Sequence, residues 1–264
     1  NHFASECISE TIRNLQEGYT RLADLSSLRK LRLSDAVESQ QLYSKVSEAF
    51  EWIKEKEPIL RVTDIKNDED SVQIYLKKVN VIMAEADSYD QKISELRISS
   101  ERMIERGHFD STNIQQKTVD LARYFDNFKL EVQAQKQRLL DQKDVIEFLH
   151  ESEEVVDWVN TQMAVAASED YGKDVSHVER LIKTFDSFMQ TILSSEERVN
   201  KVVERGSALI AADNSHKIVI SEKTEEVSQL WEDLKELTLA RHEALSGAKQ
   251  AHVFDKNADE TISG

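Results

Sequence analysis

The chain predicts an all-α fold: tandem three-helix bundles joined by continuous linker helices into an elongated rod. Three observations carry that prediction. Trp52 and Trp158 stand 106 residues apart, Tyr19, Phe125 and Trp231 repeat the step, and His2, His108 and Asn214 mark it again; a fixed period of self-similarity is the signature of a repeat architecture. Six glycines and one proline in 264 residues leave little turn chemistry for an all-β fold, and 39% hydrophobic with 32% charged residues suits long helices with one buried stripe. Finally, no Pro or Gly occurs between Ser111 and Ala167, while apolar positions continue from Ile114 through Phe125, Phe128, Val132 and Leu139 to Ile146.

In order along the chain, residues 1–34 read as a third helix without its first two. Ile8, Ile12, Leu15, Tyr19 and Leu22 form its stripe, with no intrachain bundle expected to cover them. Residues 35–140 read as a full repeat. Its first helix carries Trp52 and breaks at residues 61–68; its middle helix carries Val72, Leu76, Val79, Met83, Ala86, Ile93 and Ile104 and breaks at residues 106–109. The second full repeat spans 141–246. Val145, Phe148, Leu149, Val155, Val156, Val159 and Met163 stripe its first helix, which ends at residues 167–174 with a glycine for the turn and Asp174 as N-cap. Val178, Ile182, Phe185, Met189, Ile192, Val199, Val203 and Ile210 mark the middle helix, a loop follows at residues 212–215, and Ile220, Val227, Trp231 and Leu234 mark the third. Residues 247–264 read as the start of another first helix, with Gly247 softening the joint by about 1 kcal/mol relative to Ala. The unbroken stretch from Ser111 predicts that the third helix of one repeat continues as the first helix of the next, roughly 55 residues and on the order of 80 Å.

Composition narrows function. A net charge of −16 repels phosphate backbones and anionic lipid, so general nucleic-acid binding is not expected. Cys7 is the one cysteine, so no intrachain disulfide forms; no Asn-x-Ser/Thr acceptor or signal peptide is seen, and no apolar run approaches the roughly 20 residues of a membrane span. These features suit a reducing cytoplasm. Starting at Asn1 and stopping in mid-pattern, the chain reads as a fragment of something longer.

The residues resemble the spectrin repeat. That family has a Trp in the first helix, here Trp52 and Trp158, and an aromatic in the third, here Tyr19, Phe125 and Trp231. Residues 52–58 (Trp-Ile-Lys-Glu-Lys-Glu-Pro) resemble a first-helix ending and residues 168–174 (Ser-Glu-Asp-Tyr-Gly-Lys-Asp) the turn after it. Residues 1–5 and 107–111 resemble the entry to a third helix, and residues 252–263 the opening of a first. The wording is closest to α-spectrins, with heavy β-spectrin as the alternative. The turn over residues 63–68 departs from the pattern, lacking the Tyr-Gly of the second copy, and Gly264 stands where the family has Trp. The resemblance implies a structural spacer of the actin-linked membrane skeleton in the cytoplasm at the cell cortex. It also implies a partner spectrin chain, with actin engaged through other parts of the parent protein. The alternative is a module that docks an adaptor, a lateral spectrin partner or lipid, with Asp64, Lys66, Asp68 and Asp70 as its contact surface.

Sites with chemistry are few. Trp52, Trp158, Tyr19, Phe125 and Trp231 fall within apolar stripes and read as core anchors rather than a ligand-binding set. Glu147-x-x-His150 and Glu105-x-x-His108 match di-iron spacing, but the second straddles a glycine, where helical spacing fails. Residues 255–259 open like an EF-hand loop, yet Glu260 occupies the position that needs glycine. No phosphate loop, nucleophile elbow or zinc cluster is present, so no catalytic residue, metal or cofactor is expected. Asp90 and Glu196 occupy equivalent positions in the middle-helix stripe. They are read either as solvated where the stripe steps by one or as buried, register-setting contacts.

Overall fold

The computed structural model describes residues 2–262, with side chains described for residues 4–258; Gly264 and the side chain of Asp259 lie outside the described residues. Five helices follow one another: α1 (His2–Leu60), α2 (Glu69–Glu105), α3 (Ser111–Ala166), α4 (Val175–Ala211) and α5 (Lys217–Ile262). Every expected break falls between helices, and α3 runs for 56 residues without interruption. Among the described residues there is no strand.

The chain divides into two compact units, one of Asn1–Asp64 with Leu76–Lys136, the other of Ile65–Tyr75 with Gln137–Gly264. In the first unit, Leu42, Val46, Ala49 and Ile53 of α1 are buried, as are Leu76, Val79, Ile82, Ala86 and Met103 of α2 and Ile114, Leu121, Phe125, Phe128 and Val132 of α3. The positions recur at threes and fours, so each helix buries one stripe against the other two. Two details of the α2 stripe differ from expectation: Ile82 and Met103 are buried in place of their neighbours Met83 and Ile104, because the stripe drifts around a straight helix. That drift also settles Asp90 and Glu196. Both are exposed, and Asp90 pairs with Lys129 at 2.8 Å, so neither is a buried register contact.

The second unit has the same plan. Val145, Phe148, Val155 and Val159 of α3 pack with Ile192, Val199 and Val202 of α4 and Ile220, Val227, Trp231 and Leu234 of α5 in one cluster. Phe148 is wholly buried; removing a side chain of this class from water stabilises a fold by about 1.5–3 kcal/mol. Gly206 lets the helices approach here: a Cβ on it would lie 2.1 Å from Thr224 Oγ1 and 3.0 Å from the Phe148 ring. Gly247 leaves α5 unbroken, with nothing within 4 Å of its would-be Cβ.

Residues 4–34 of α1 are exposed throughout. Tyr19, read from the repeat pattern as a core anchor, is 75% exposed, in keeping with a stripe that no intrachain bundle was expected to cover.

Candidate functional site

The turns at the ends of each bundle gather the polar groups, for a simple reason. A helix terminus leaves backbone N–H and C=O groups without intrahelical partners, and a turn folded against a bundle must supply them. At the α1–α2 turn, Asp68 does this by accepting from the Ser71 N–H at 2.8 Å and the Ser71 hydroxyl at 3.0 Å. Those two bonds hold its carboxyl below the usual carboxylate range. At the α3–α4 turn, Asp174 accepts from the His177 N–H at 2.8 Å, as the sequence predicts for an N-cap. Gly172 sits there at φ +84, a left-handed conformation, pressed against Val178.

The third helices tie these turns down. Gln135 Nε2 donates to Val62 O at 3.3 Å, and Arg241, at the equivalent position one period on, donates to Asp170 O at 3.4 Å. Arg241 is 8% exposed, lies over the Phe185 ring at 5.4 Å, and has Nε and Nη1 buried without a hydrogen-bond partner. At the opposite ends, His108 Nε2 lies 2.9 Å from Asp35 O in the first unit, and Asn214 Nδ2 donates to Asp141 O at 3.2 Å in the second. Asp141 also accepts from the Ser215 N–H at 2.9 Å. Burial pushes the Asp141 carboxyl up, and the hydrogen bonds from Ser215 and Gln137 outweigh that and lower it. These clasps were visible in the sequence only as the His108 and Asn214 members of the period.

The predicted anchors are placed unequally. Phe125 and Trp231 are buried, at 1% and 4% exposure. Trp52 and Trp158 are half-buried; Trp52 stacks on Tyr89 with ring centroids 4.2 Å apart and meets the Phe128 edge, and Trp158 lies 6.4 Å from Trp231. Of the expected contact surface, Asp64, Lys66 and Asp70 are exposed, whereas Asp68 is half-buried and committed to Ser71. The turn holding them also reaches Gln142, whose Nε2 donates to Asn67 Oδ1 at 3.4 Å.

The would-be metal motifs do not assemble. Glu147 pairs with Arg205 at 2.9 Å and Lys143 at 3.2 Å, while His150 faces solvent beside Glu154. Arg205 also holds Glu151. Burial raises the Glu147 carboxyl, but the bonds from Arg205 and Lys143 prevail and lower it. His108 is committed to its turn. Among the described residues, no group of three His, Cys, Asp or Glu is placed to hold a metal ion. No described helix is long and apolar enough to cross a membrane. A surface furrow of about 510 Å³ along α1 and α2 of the first unit is lined by Glu38, Lys45, Glu48, Lys92 and Glu95 around Tyr89. Its charges alternate, and Lys92 already lies 4.5 Å from the Tyr89 ring, so they do not converge on a ligand. Tyr43 is pushed up to about 12 by burial and by its hydrogen bond to Asp110. A phenol held protonated in this way serves as a structural donor.

The model of the Spectrin repeat family matches residues 37–141 and again residues 143–247, two matches in the register of the sequence period. The chain is 24% identical to the spectrin beta chain of Drosophila melanogaster over 99% of its own length and 11% of that protein's. It is 27% identical to the erythrocytic spectrin beta chain of Mus musculus over 94% of its length and 12% of the relative's. With the human non-erythrocytic spectrin beta chain 4 the identity is 24%, over 97% and 10%. The chain thus spans about a tenth of the length of these relatives, which are β chains, whereas the sequence wording pointed first to α-spectrins.

Proposed function

Because the chain belongs to the spectrin-repeat family, we propose that it is a non-enzymatic structural segment, a spacer and scaffold within an actin-linked membrane skeleton. The observation that carries this reading is the pair of repeat-length bundles, each with its own apolar core, sharing the unbroken helix α3. A separate core in each bundle lets repeats in series hold distant sites apart and unfold one at a time under load. The polar groups support the same reading, since they cap helices and tie turns instead of converging on a reacting centre. The functional repeats on this reading are 35–140 and 141–246, flanked by partial repeats at 1–34 and 247–264. A partner spectrin chain, actin reached through other parts of the parent protein, and a place on the cytoplasmic side of the cell cortex belong to the proposal; the relatives, named as spectrin beta chains, support its spectrin context. Exposure of Asp64, Lys66 and Asp70 supports a subsidiary role of the first turn as a contact surface for an adaptor.

Sedimentation velocity of the 264-residue chain across a wide concentration range tests the spacer. The expected result is an elongated species, with a frictional ratio well above that of a compact protein of 30.3 kDa. A compact globular monomer would overturn it. A dimer that survives removal of residues 1–33 would point instead to a dedicated association surface.

A further inference from the structure

The two equivalent clasps use different chemistry, and the difference has a consequence. In the first unit, His108 is 4% exposed and both of its ring nitrogens are engaged. The Asp110 N–H donates to Nδ1 at 3.0 Å, and Nε2 lies 2.9 Å from Asp35 O. A carbonyl oxygen only accepts, so Nε2 carries a proton; a backbone N–H only donates, so Nδ1 carries none. The ring is thereby fixed as the neutral Nε2–H tautomer. A second proton on Nδ1 removes the acceptor for Asp110 N–H and places a cation in a buried turn. In the second unit, Asn214 fills the same role: its Nδ2 donates to Asp141 O, and its Oδ1 accepts from the His216 N–H at 2.8 Å. An amide does not titrate in this range.

We propose that the α2–α3 turn of the first unit is a proton-sensitive clasp, released as His108 gains its second proton, while the clasp of the second unit, Asn214, has no proton to gain; His216 beside it joins through its backbone N–H, its ring lying 3.2 Å from Ser215 Oγ. The charges facing His108 come from three elements. Asp35 and Glu38 on α1 are both engaged by Arg106 at the end of α2, Asp35 at 3.6 Å. The Asp110 carboxylate, entering α3, accepts from Tyr43 of α1 and from Asn113 at 2.6 Å, and Lys117 of α3 lies over the Tyr43 ring. Asp110 attracts an imidazolium, but its own N–H loses its acceptor when one forms, and each nearby carboxylate already has another donor. Acidification therefore exchanges a fully bonded turn for one with opposed N–H groups, and the turn opens. The inference rests on the turn alone and is independent of the spacer role.

Hydrogen exchange of the intact chain, corrected for the intrinsic rate at each pH, provides the test. Between about pH 7.5 and about pH 5.5, where an imidazole released into water takes up its proton, protection over residues 106–118 is expected to fall about tenfold, the equivalent of one buried hydrogen bond. In a chain carrying His216→Gln, which leaves that turn without an imidazole, residues 212–224 serve as the internal control and should hold their protection. His108→Asn, which installs the second unit's chemistry, should remove the pH dependence. A flat wild-type profile, or an unchanged dependence in His108→Asn, overturns the proposal. Should that variant fail to fold, the ¹⁵N shifts of His108 in the wild-type chain decide: an Nδ1 protonated at neutral pH overturns it, and an unprotonated Nδ1 whose protonation tracks the loss of protection upholds it.

Discussion

Gly206 and Gly247 lie within helices of the second half of the chain, and the same substitution is expected to change stability in opposite directions. In a free helix, Gly→Ala is favourable by about 1 kcal/mol, since alanine loses less backbone entropy on folding. At Gly247 nothing lies within 4 Å of the added Cβ, so Gly247→Ala should gain about 0.5–1 kcal/mol. At Gly206 the new Cβ would lie 2.1 Å from Thr224 Oγ1 and 3.0 Å from two atoms of the Phe148 ring. Neither neighbour yields easily. The Thr224 hydroxyl donates to Ile220 O at 2.7 Å, and the Phe148 ring is wholly buried in the core of the unit. Overpacking of this kind costs about 1–3 kcal/mol, so after the helix gain Gly206→Ala should be destabilising by about 1–2 kcal/mol.

Urea unfolding of the whole chain gives the magnitude, and amide exchange over residues 145–210 assigns it to the second unit. Thr224→Ala supplies a further arm. It removes the closest contact, so combined with Gly206→Ala it should recover much of the loss, with a coupling of about 1 kcal/mol in a double-mutant cycle. If Gly206→Ala stabilises the chain as much as Gly247→Ala does, the helices are not held together at Gly206 and the packing argument is wrong.

Three further outcomes follow from the turns and the ion pairs. Gly172→Ala should cost at least about 2 kcal/mol, the sum of a left-handed alanine and its overlap with Val178, whereas Gly107→Ala, at φ +75 with open space around it, should cost about 1 kcal/mol; thermal melts of both variants compare them. Asp68→Ala should cost about 1 kcal/mol through the lost cap on α2, while Asp64→Lys and Asp70→Lys should leave stability within about 0.5 kcal/mol, so binding assays with the latter two test the contact surface without a folding defect. The Glu147 carboxyl is lowered below its ordinary 4.5 by Arg205 and Lys143. The stability it contributes is therefore fully present above pH 4.5 and is lost as pH falls through the folded-state value. Melting temperatures of Arg205→Gln should accordingly depend less on pH than wild type over about pH 5 to 3, and an identical slope would show that the pair adds nothing.

Much of the fold was legible because its signals are local. The four breaks coincide with Gly, Asp and Asn clusters, and α3 is continuous because nothing between Ser111 and Ala166 interrupts a helix. What escaped the sequence depends on how stripes meet in space. Ile82 and Met103 are buried in place of the residues beside them, Asp90 rotates out to Lys129, and Trp52 remains half-buried against Tyr89 while Phe125 is enclosed. A drift of one position along a 37-residue helix is invisible to periodicity alone, since adjacent apolar residues fit the pattern equally well. Tyr19 carries the right residue type at the right step, but burial is a property of neighbours, and the described structure sets none beside it. The glycine at 206 was readable as an anomaly within a helix, and only the position of Phe148 and Thr224 explains it.

Polar residues recur where an apolar stripe would continue, and backbone chemistry accounts for them. Gln135 and Arg241 interrupt the third-helix stripes at the same step, and each donates to a carbonyl in the turn beside it. A turn folded onto a bundle end presents carbonyls that have left the helical ladder, and burying them without donors would cost about 1–3 kcal/mol apiece. A leucine at either position would add apolar contact but supply no donor, so a polar side chain is the more stable choice despite its place in the core. Glutamine fulfils the requirement with one amide and no charge. Arginine brings a charge and more donors than the turn can accept, which is why Nε and Nη1 remain unmatched while the guanidinium settles over Phe185. The two units thus share one architectural demand and meet it at different electrostatic cost, as they also do with His108 and Asn214 at the opposite ends. Differences of this kind leave the repeat fold unchanged and make its copies unequal in how they respond to their surroundings.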